Sequence, residues 1–331
     1  MISEATKTKY RGPFLGTFFG MLYALICGLA FTTAESYSIA AIEFVSLAML
    51  LVTPVSVGVI TVFFGTAEQA ANSYYRSYYP WLSLFGWALV SLVTAWETLI
   101  CIVMLLPLYL PLATLGGALG GYIRRNYCNK TNQGFAASFA FLPFLMIPIE
   151  SPFNTPTVTH TVTDTIIIDS STENVWAALP DILNIKPEEL SWTLSHFIGL
   201  PRPVSAQTPA LELGALRELY WEKGVHFQER ITEIIPGKKL AYDVLVDQES
   251  MKLAELDNHI VVGDKYFDIV SGQYDLETKD GVAVLSLSTT YRMTTKINWY
   301  GKVLANFVLD DFHTAVLELL KKRLEEPNAV S

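Results

Sequence analysis

The sequence predicts a multi-span α-helical membrane domain followed by a soluble α+β domain. Three observations lead there. Residues 12–149 are a near-continuous series of apolar, aromatic-rich stretches. Charge is partitioned: seven basic and six acidic residues precede Ser151, whereas 16 and 26 follow it, so the second part carries essentially all of the net charge of −9. Lipid-facing helices exclude charge and a soluble surface requires it, so the split is one of solvent. Third, the part after Ser151 changes from long apolar runs to short strand-like segments and one final amphipathic helix.

A crossing helix needs roughly 20 apolar residues. About five spans are predicted, near 13–33, 39–65, 79–96, 98–123 and 134–149, within a membrane domain of residues 1–150. The third and fourth form one stretch too long for a single crossing. The reversal is set near Trp96 and Glu97, with Pro107 and Pro111 as the alternative turn. The first stretch is not read as a cleaved signal peptide, because its apolar run is long and further spans follow.

The basic residues set the orientation. Lys7, Lys9, Arg11, Arg76, Arg124, Arg125 and Lys130 all fall on one side if there are five spans, and the positive-inside rule makes that side cytoplasmic. The opposite loops hold Glu35, Glu97 and Glu150, and an odd number of crossings carries the C-terminal domain out of the cytoplasm. Span five is short and contains Pro143 and Pro148; without it the domain is cytoplasmic. Glu43 and Glu97 are expected at headgroup depth in water, the alternative being functional intramembrane carboxylates. The run Gly116-Gly117-Ala118-Leu119-Gly120-Gly121 superficially resembles a phosphate loop, but at the end of a span close helix packing by small residues accounts for it. Tyr74, Tyr75, Tyr78, Tyr79 and Trp81 suit an interfacial aromatic belt.

Residues 151–156 contain two prolines and read as a short, stiff linker to a soluble domain at 157–327. Thr157 to Asp169 reads as a strand. A capping box of Ser170 with Glu173 opens a helix that Pro180 stops, and a second helical piece spans Pro187 to Phe197. Strand-like runs follow at 211–221, 225–234, 239–246, 259–276 and 282–293, with turn chemistry at Pro236-Gly237 and Asp280-Gly281. From Val303 to Leu320 apolar residues recur at helical spacing, and Lys321, Lys322 and Arg323 suit the C-terminal end of the helix dipole.

The functional exclusions are broad. An acidic exposed domain without a basic stripe is a poor nucleic-acid partner. All three cysteines, Cys27, Cys101 and Cys128, lie in the membrane half. The soluble half therefore has neither a disulfide nor a cysteine nucleophile. His160, His196, His226, His259 and His313 show no metal-ligand spacing, and there is no nucleophile-elbow motif, so no metal, cofactor or catalytic residue is assigned. Adjacent Asp310 and Asp311 read as a solvated surface pair. Glu229 is the one carboxylate singled out, since alternation turns it inward and Arg230 outward, as a base of raised pKa, a ligand-binding group or a satisfied structural carboxylate.

The order of elements after residue 157 carries a resemblance, together with Ile168-Asp-Ser-Ser-Thr-Glu-Asn-Val-Trp176, the segment Phe227 to Val244, Gly272-Gln-Tyr-Asp-Leu276 and Ser288-Thr-Thr-Tyr-Arg292. Residues 157–326 resemble the START-like, polyketide cyclase/lipid-transport (SRPBCC) superfamily. The resemblance implies a helix-grip fold, in which a curved antiparallel sheet wraps the long C-terminal helix around an apolar cavity. Its expected lining is Phe227, Glu229, Ile231, Tyr242, Leu287 and Tyr291 from the strands, with Trp299 and Phe307 from the helix. The implied ligand is a lipid or other hydrophobic small molecule taken near the bilayer. The alternatives are a cyclase-type enzyme acting on an apolar membrane-derived substrate, or a subunit that docks a membrane-protein partner or a second copy. Architecture and resemblance together imply a bacterial inner membrane, with a cytoplasmic N-terminus and a periplasmic C-terminal domain.

Overall fold

The structure, a computed structural model, describes residues 4–36, 46–127, 134–150, 152–247, 250 and 262–325. It divides into two compact units, Met1–Thr155 and Pro156–Ser331. Glu43, Cys128, Lys130 and His259 lie outside the described residues.

The first unit is helical: α1 (Glu4–Ser36), a π-helical turn (Ala48–Val52) running into α2 (Thr53–Phe63), α3 (Ala67–Ala71), α4 (Ser73–Val93), α5 (Leu99–Asn126) and α6 (Gly134–Glu150). Among the described residues two segments are long and apolar enough to cross a membrane, Arg11–Thr33 and Leu99–Asn126, while Ala48–Phe63 and Ser138–Glu150 are shorter apolar helices. The expected count of five spans is thus not confirmed, and residues 39–45 of the second expected span lie outside the described residues. The turn after α4 falls at residues 94–98, where Ala95 takes φ 53° and the Trp96 amide returns to the Ser91 carbonyl at 2.9 Å. Pro107 and Pro111 lie inside α5.

Glycine sets the close helix crossings. A Cβ on Gly58 would strike the Ala113 carbonyl, and one on Gly117 would strike the Arg76 carbonyl, so α2 and α4 meet α5 backbone to backbone. The π-turn also has a local cause. Pro54 has no N–H to donate back, and Tyr109 instead donates to the Met49 carbonyl at 3.1 Å while Thr53 Oγ1 donates to the Ala48 carbonyl at 3.2 Å. One expectation is corrected here. Glu97 is not in water but 4% exposed; Glu150 is likewise 3% exposed, and its carboxylate accepts from the Ala48 amide at 3.3 Å.

The second unit is a curled sheet with one long helix. Its strands are β1 (Thr157–Ile168), β2 (Pro203–Gln207), β3 (Leu216–Trp221), β4 (His226–Ile235), β5 (Lys239–Val246), β6 (Phe267–Lys279) and β7 (Val282–Thr294). They form one antiparallel sheet in the order β1-β7-β6-β5-β4-β3-β2. Register shifts between Ile231 and Glu233 and between Ile269 and Ser271 mark bulges, which bend strands and raise their twist. The β6–β7 hairpin closes on Asp280 and Gly281, both at positive φ as a two-residue primed turn requires.

Between β1 and β2 lie α7 (Thr172–Ala178) and the four-residue α8 (Leu194–Phe197); the long final helix is α9 (Asn298–Glu325). The cap of α7 is Ser171, whose side chain accepts from the Asn174 amide at 3.3 Å, one residue later than the expected Ser170 box. The expected helix over Pro187 to Phe197 is a single 3-10 turn, Pro187–Glu189, followed by α8.

The two faces of the sheet differ. On the outer face β1 and β7 are joined by cross-strand hydroxyl pairs: Thr157 with Thr294 (3.0 Å), and Thr161 with Thr290, Thr163 with Ser288 and Thr165 with Ser286, each at 2.8 Å. On the inner face Ile168, Leu240, Leu276, Leu285 and Leu287 meet Val316, Leu319 and Leu320 of α9 in the main core. A second, smaller core of Tyr291, Met293, Ala305 and Leu309 sits toward the N-terminal half of α9.

Candidate functional site

The inner face is the candidate site, because strand register gathers its side chains there. Ile231 opposes Tyr242 across β4 and β5, Tyr242 opposes Gly272, and Gly272 opposes Thr289. Gly272 is required at this crossing, since a Cβ would lie 2.6 Å from the Tyr242 ring. Phe227, Glu229, Ile231, Tyr242, Leu287 and Tyr291 all fall on this face by two-residue alternation. Rings from three elements also meet there: Trp221 lies 5.5 Å from Phe227 and 5.0 Å from Phe312 of α9, centroid to centroid.

Two expected members are elsewhere. Trp299 and Phe307 are 63% and 45% exposed and do not line the interior. The buried side of α9 runs instead through Ala305, Leu309, His313, Val316 and Leu320. The N-terminal half of α9 carries apolar residues on both sides, so helical spacing alone could not choose between them.

Two polar groups are built into the apolar face. The first is an ion pair between Arg217 on β3 and Glu229 on β4, opposite each other in register and 2.8 Å apart, with 2% and 6% of their side chains exposed. Arg217 also donates from Nε to the Pro180 carbonyl (3.0 Å) and from Nη2 to the Leu179 carbonyl (2.9 Å), capping the end of α7. Burial raises the Glu229 carboxyl above its ordinary value, and the facing guanidinium opposes that rise. Glu229 is thus held by Arg217 rather than presented as a base. His226 is similarly taken up by Glu218 at 2.6 Å.

The second group was not anticipated. His313, fully buried on α9, bridges β1 and β7: its Nδ1 lies 2.6 Å from Asp164 Oδ2 and its Nε2 lies 2.7 Å from Thr289 Oγ1. Desolvation lowers the His313 pKa to about 4, with Asp310 acting in the opposite sense. The imidazole is therefore neutral at neutral pH, giving Nδ1–H to Asp164 and accepting the Thr289 hydroxyl proton at Nε2. Asp310 and Asp311 are not simply solvated. Asp164 raises the Asp310 pKa through a side-chain hydrogen bond, while Asp311 accepts from the Ser195 amide at 2.7 Å. Tyr291 completes this belt by donating to Asn306 Oδ1 at 2.7 Å.

A surface groove of about 550 Å³ lies at the rim, lined by Ile166, Glu188, Glu189, Ser191, Lys321 and Lys322 among others, and is open and polar. Among the described residues no group of three His, Cys, Asp or Glu side chains is placed to hold a metal ion.

Sheet order and helix placement define a helix-grip unit, a seven-stranded curled antiparallel half-barrel closed by its C-terminal helix. No family model and no curated protein matches the chain. Solved structures similar to it include truncated norcoclaurine synthase from Thalictrum flavum, at 12% identity and TM-score 0.34 over 53% of this chain and 98% of that one. The Aha1 dimer from Colwellia psychrerythraea gives 13%, 0.30, 51% and 98%. A protein from Arthrobacter aurescens gives 15%, 0.31, 51% and 87%. Likenesses of this degree carry neither activity nor ligand across to this chain.

Proposed function

We propose that the chain is an integral membrane protein of about five crossings whose helix-grip unit lies outside the cytoplasm. There it binds a lipid or other hydrophobic small molecule between the inner sheet face and α9. The observation that carries this reading is the make-up of that face. Phe227, Ile231, Tyr242, Leu287 and Tyr291 converge with a few fixed polar groups, Glu229 and the His313–Thr289 pair among them. Apolar concavities with a small number of placed hydrogen-bonding groups are the usual form of a small-molecule site. The START-like resemblance supports the same ligand class, and the helices Arg11–Thr33 and Leu99–Asn126 support membrane insertion. The one-sided distribution of Lys and Arg supports the outward, periplasmic placement.

The test is photolabelling of the full chain in lipid nanodiscs with a diazirine-bearing fatty acid, with labelled peptides mapped by mass spectrometry. Adducts on the inner-face strands, around Phe227, Tyr242, Leu287 and Tyr291, are expected. Adducts restricted to the apolar helices of the first unit and to the outer side of α9 would overturn the binding reading.

A further inference from the structure

The side of α9 that faces away from the core has its own pattern. Trp299, Val303 and Phe307 are 63%, 63% and 45% exposed and recur every four residues, which puts them on one helix face over about 12 Å. The next position in that series, Asp311, is covered, because it caps α8 through the Ser195 amide. α8 itself ends in another exposed ring, Phe197, which pairs with exposed Trp192 at 6.2 Å. Soluble surfaces scatter such residues singly; an aligned set asks for an occupant.

The position of the stripe in the chain says which occupant. Asn298, the residue before Trp299, donates to the Pro156 carbonyl at 2.8 Å, so the stripe begins at the point where the linker enters this unit. The apolar helix α6 ends at Glu150, and the six residues between span at most about 20 Å when fully extended. A tryptophan followed by exposed Lys302 and further apolar residues is the composition of an interfacial anchor. A second copy is a poorer occupant. Three partly exposed side chains supply well under the roughly 800 Å² per partner of a standard interface. The unit is also acidic overall, so attraction to anionic headgroups does not drive the contact.

We propose that Trp299, Val303 and Phe307 insert into the headgroup–acyl boundary of the bilayer in which the chain is anchored, seating the helix-grip unit on the membrane by its α9 N-terminal half. This rests on the membrane reading above. The probe is the full chain with Cys27, Cys101 and Cys128 replaced by alanine and Val303→Cys carrying an NBD fluorophore. It is reconstituted in phosphatidylcholine vesicles with or without lipid bearing a nitroxide at acyl carbon 5. Phe307→Cys serves as a second labelled position, and exposed Glu277→Cys, near the β6–β7 turn, as the control. Quenching at 303 and 307 is expected to exceed that at 277 several-fold, to persist in 0.5 M NaCl as an order-of-magnitude screening challenge, and to fall when Trp299 is replaced by serine. Equal quenching at 303, 307 and 277 overturns the proposal, as does energy transfer between two labelled copies without lipid quenching. Alkaline carbonate extraction separates the two failures: a chain that washes out of the membrane sinks the membrane reading itself, whereas an embedded but unquenched chain sinks only the docking.

Discussion

Replacing Glu229 with leucine removes the carboxylate that faces Arg217, and the consequence follows from asymmetry between the two partners. Arg217 is 2% exposed and cannot shed its proton inside a protein. The variant therefore keeps a buried positive charge whose remaining partners, the Leu179 and Pro180 carbonyls and the Tyr274 hydroxyl, are all neutral. Breaking a buried pair in this way costs about 3–5 kcal/mol. Glu229→Gln retains an acceptor at 2.8 Å but not the charge, and is expected to fall between leucine and the parent. The readout is amide hydrogen exchange of the full chain, followed by mass spectrometry on peptides covering β3 and β4. Where exchange reports the opening equilibrium, the leucine variant should speed it by roughly two to three and a half orders of magnitude. An increase of less than about fivefold, near 1 kcal/mol, would refute the reasoning and mean that water reaches Arg217.

Two further outcomes are expected. The folded pKa of His313, about 4, lies below its ordinary 6.5, so the unfolded chain binds more protons between those values and stability falls as pH drops through that window. The loss amounts to roughly 3 kcal/mol for this group. Thermal melts of the helix-grip unit should lose that slope in His313→Gln; an unchanged slope would assign the acid sensitivity elsewhere. Alkaline phosphatase fused after Ser331 should be active in a bacterial host and a green fluorescent protein dark; the reverse pattern would place the unit in the cytoplasm.

Local signals were legible and long-range ones were not. Alternation turns Glu229 inward and Arg230 outward, and both lie so. Asp280-Gly281 names its own turn because both residues tolerate positive φ. β2 escaped notice because Pro203 to Gln207 is short, edge-placed and carries little alternation. Arg217 held a usable clue: it shares a strand face with Leu219, and an arginine on an apolar face demands a partner. The His313 belt had none, since its members lie on β1, β7 and α9, and Asp164 stands 149 residues from His313 in sequence. Such contacts exist only once the register of β1 on β7 is fixed. Trp299 and Phe307 failed for the reason given above, a helix half apolar on both sides.

The belt formed by Asp164, His313 and Thr289 has a kinetic consequence. It stands between a large apolar cluster and a small one, so the two ends of α9 are fastened unequally. The small cluster holds Tyr291, Met293, Ala305 and Leu309, and separating the helix from the sheet there exposes little apolar surface. At the other end Val316, Leu317, Leu319 and Leu320 are tied into the main core and open only with the unit as a whole. The first few turns of α9 should therefore exchange their amide protons early and as a group, like a hinged flap whose pivot is His313. The free edge of that flap lies beside Pro156, where the chain arrives from its apolar helices.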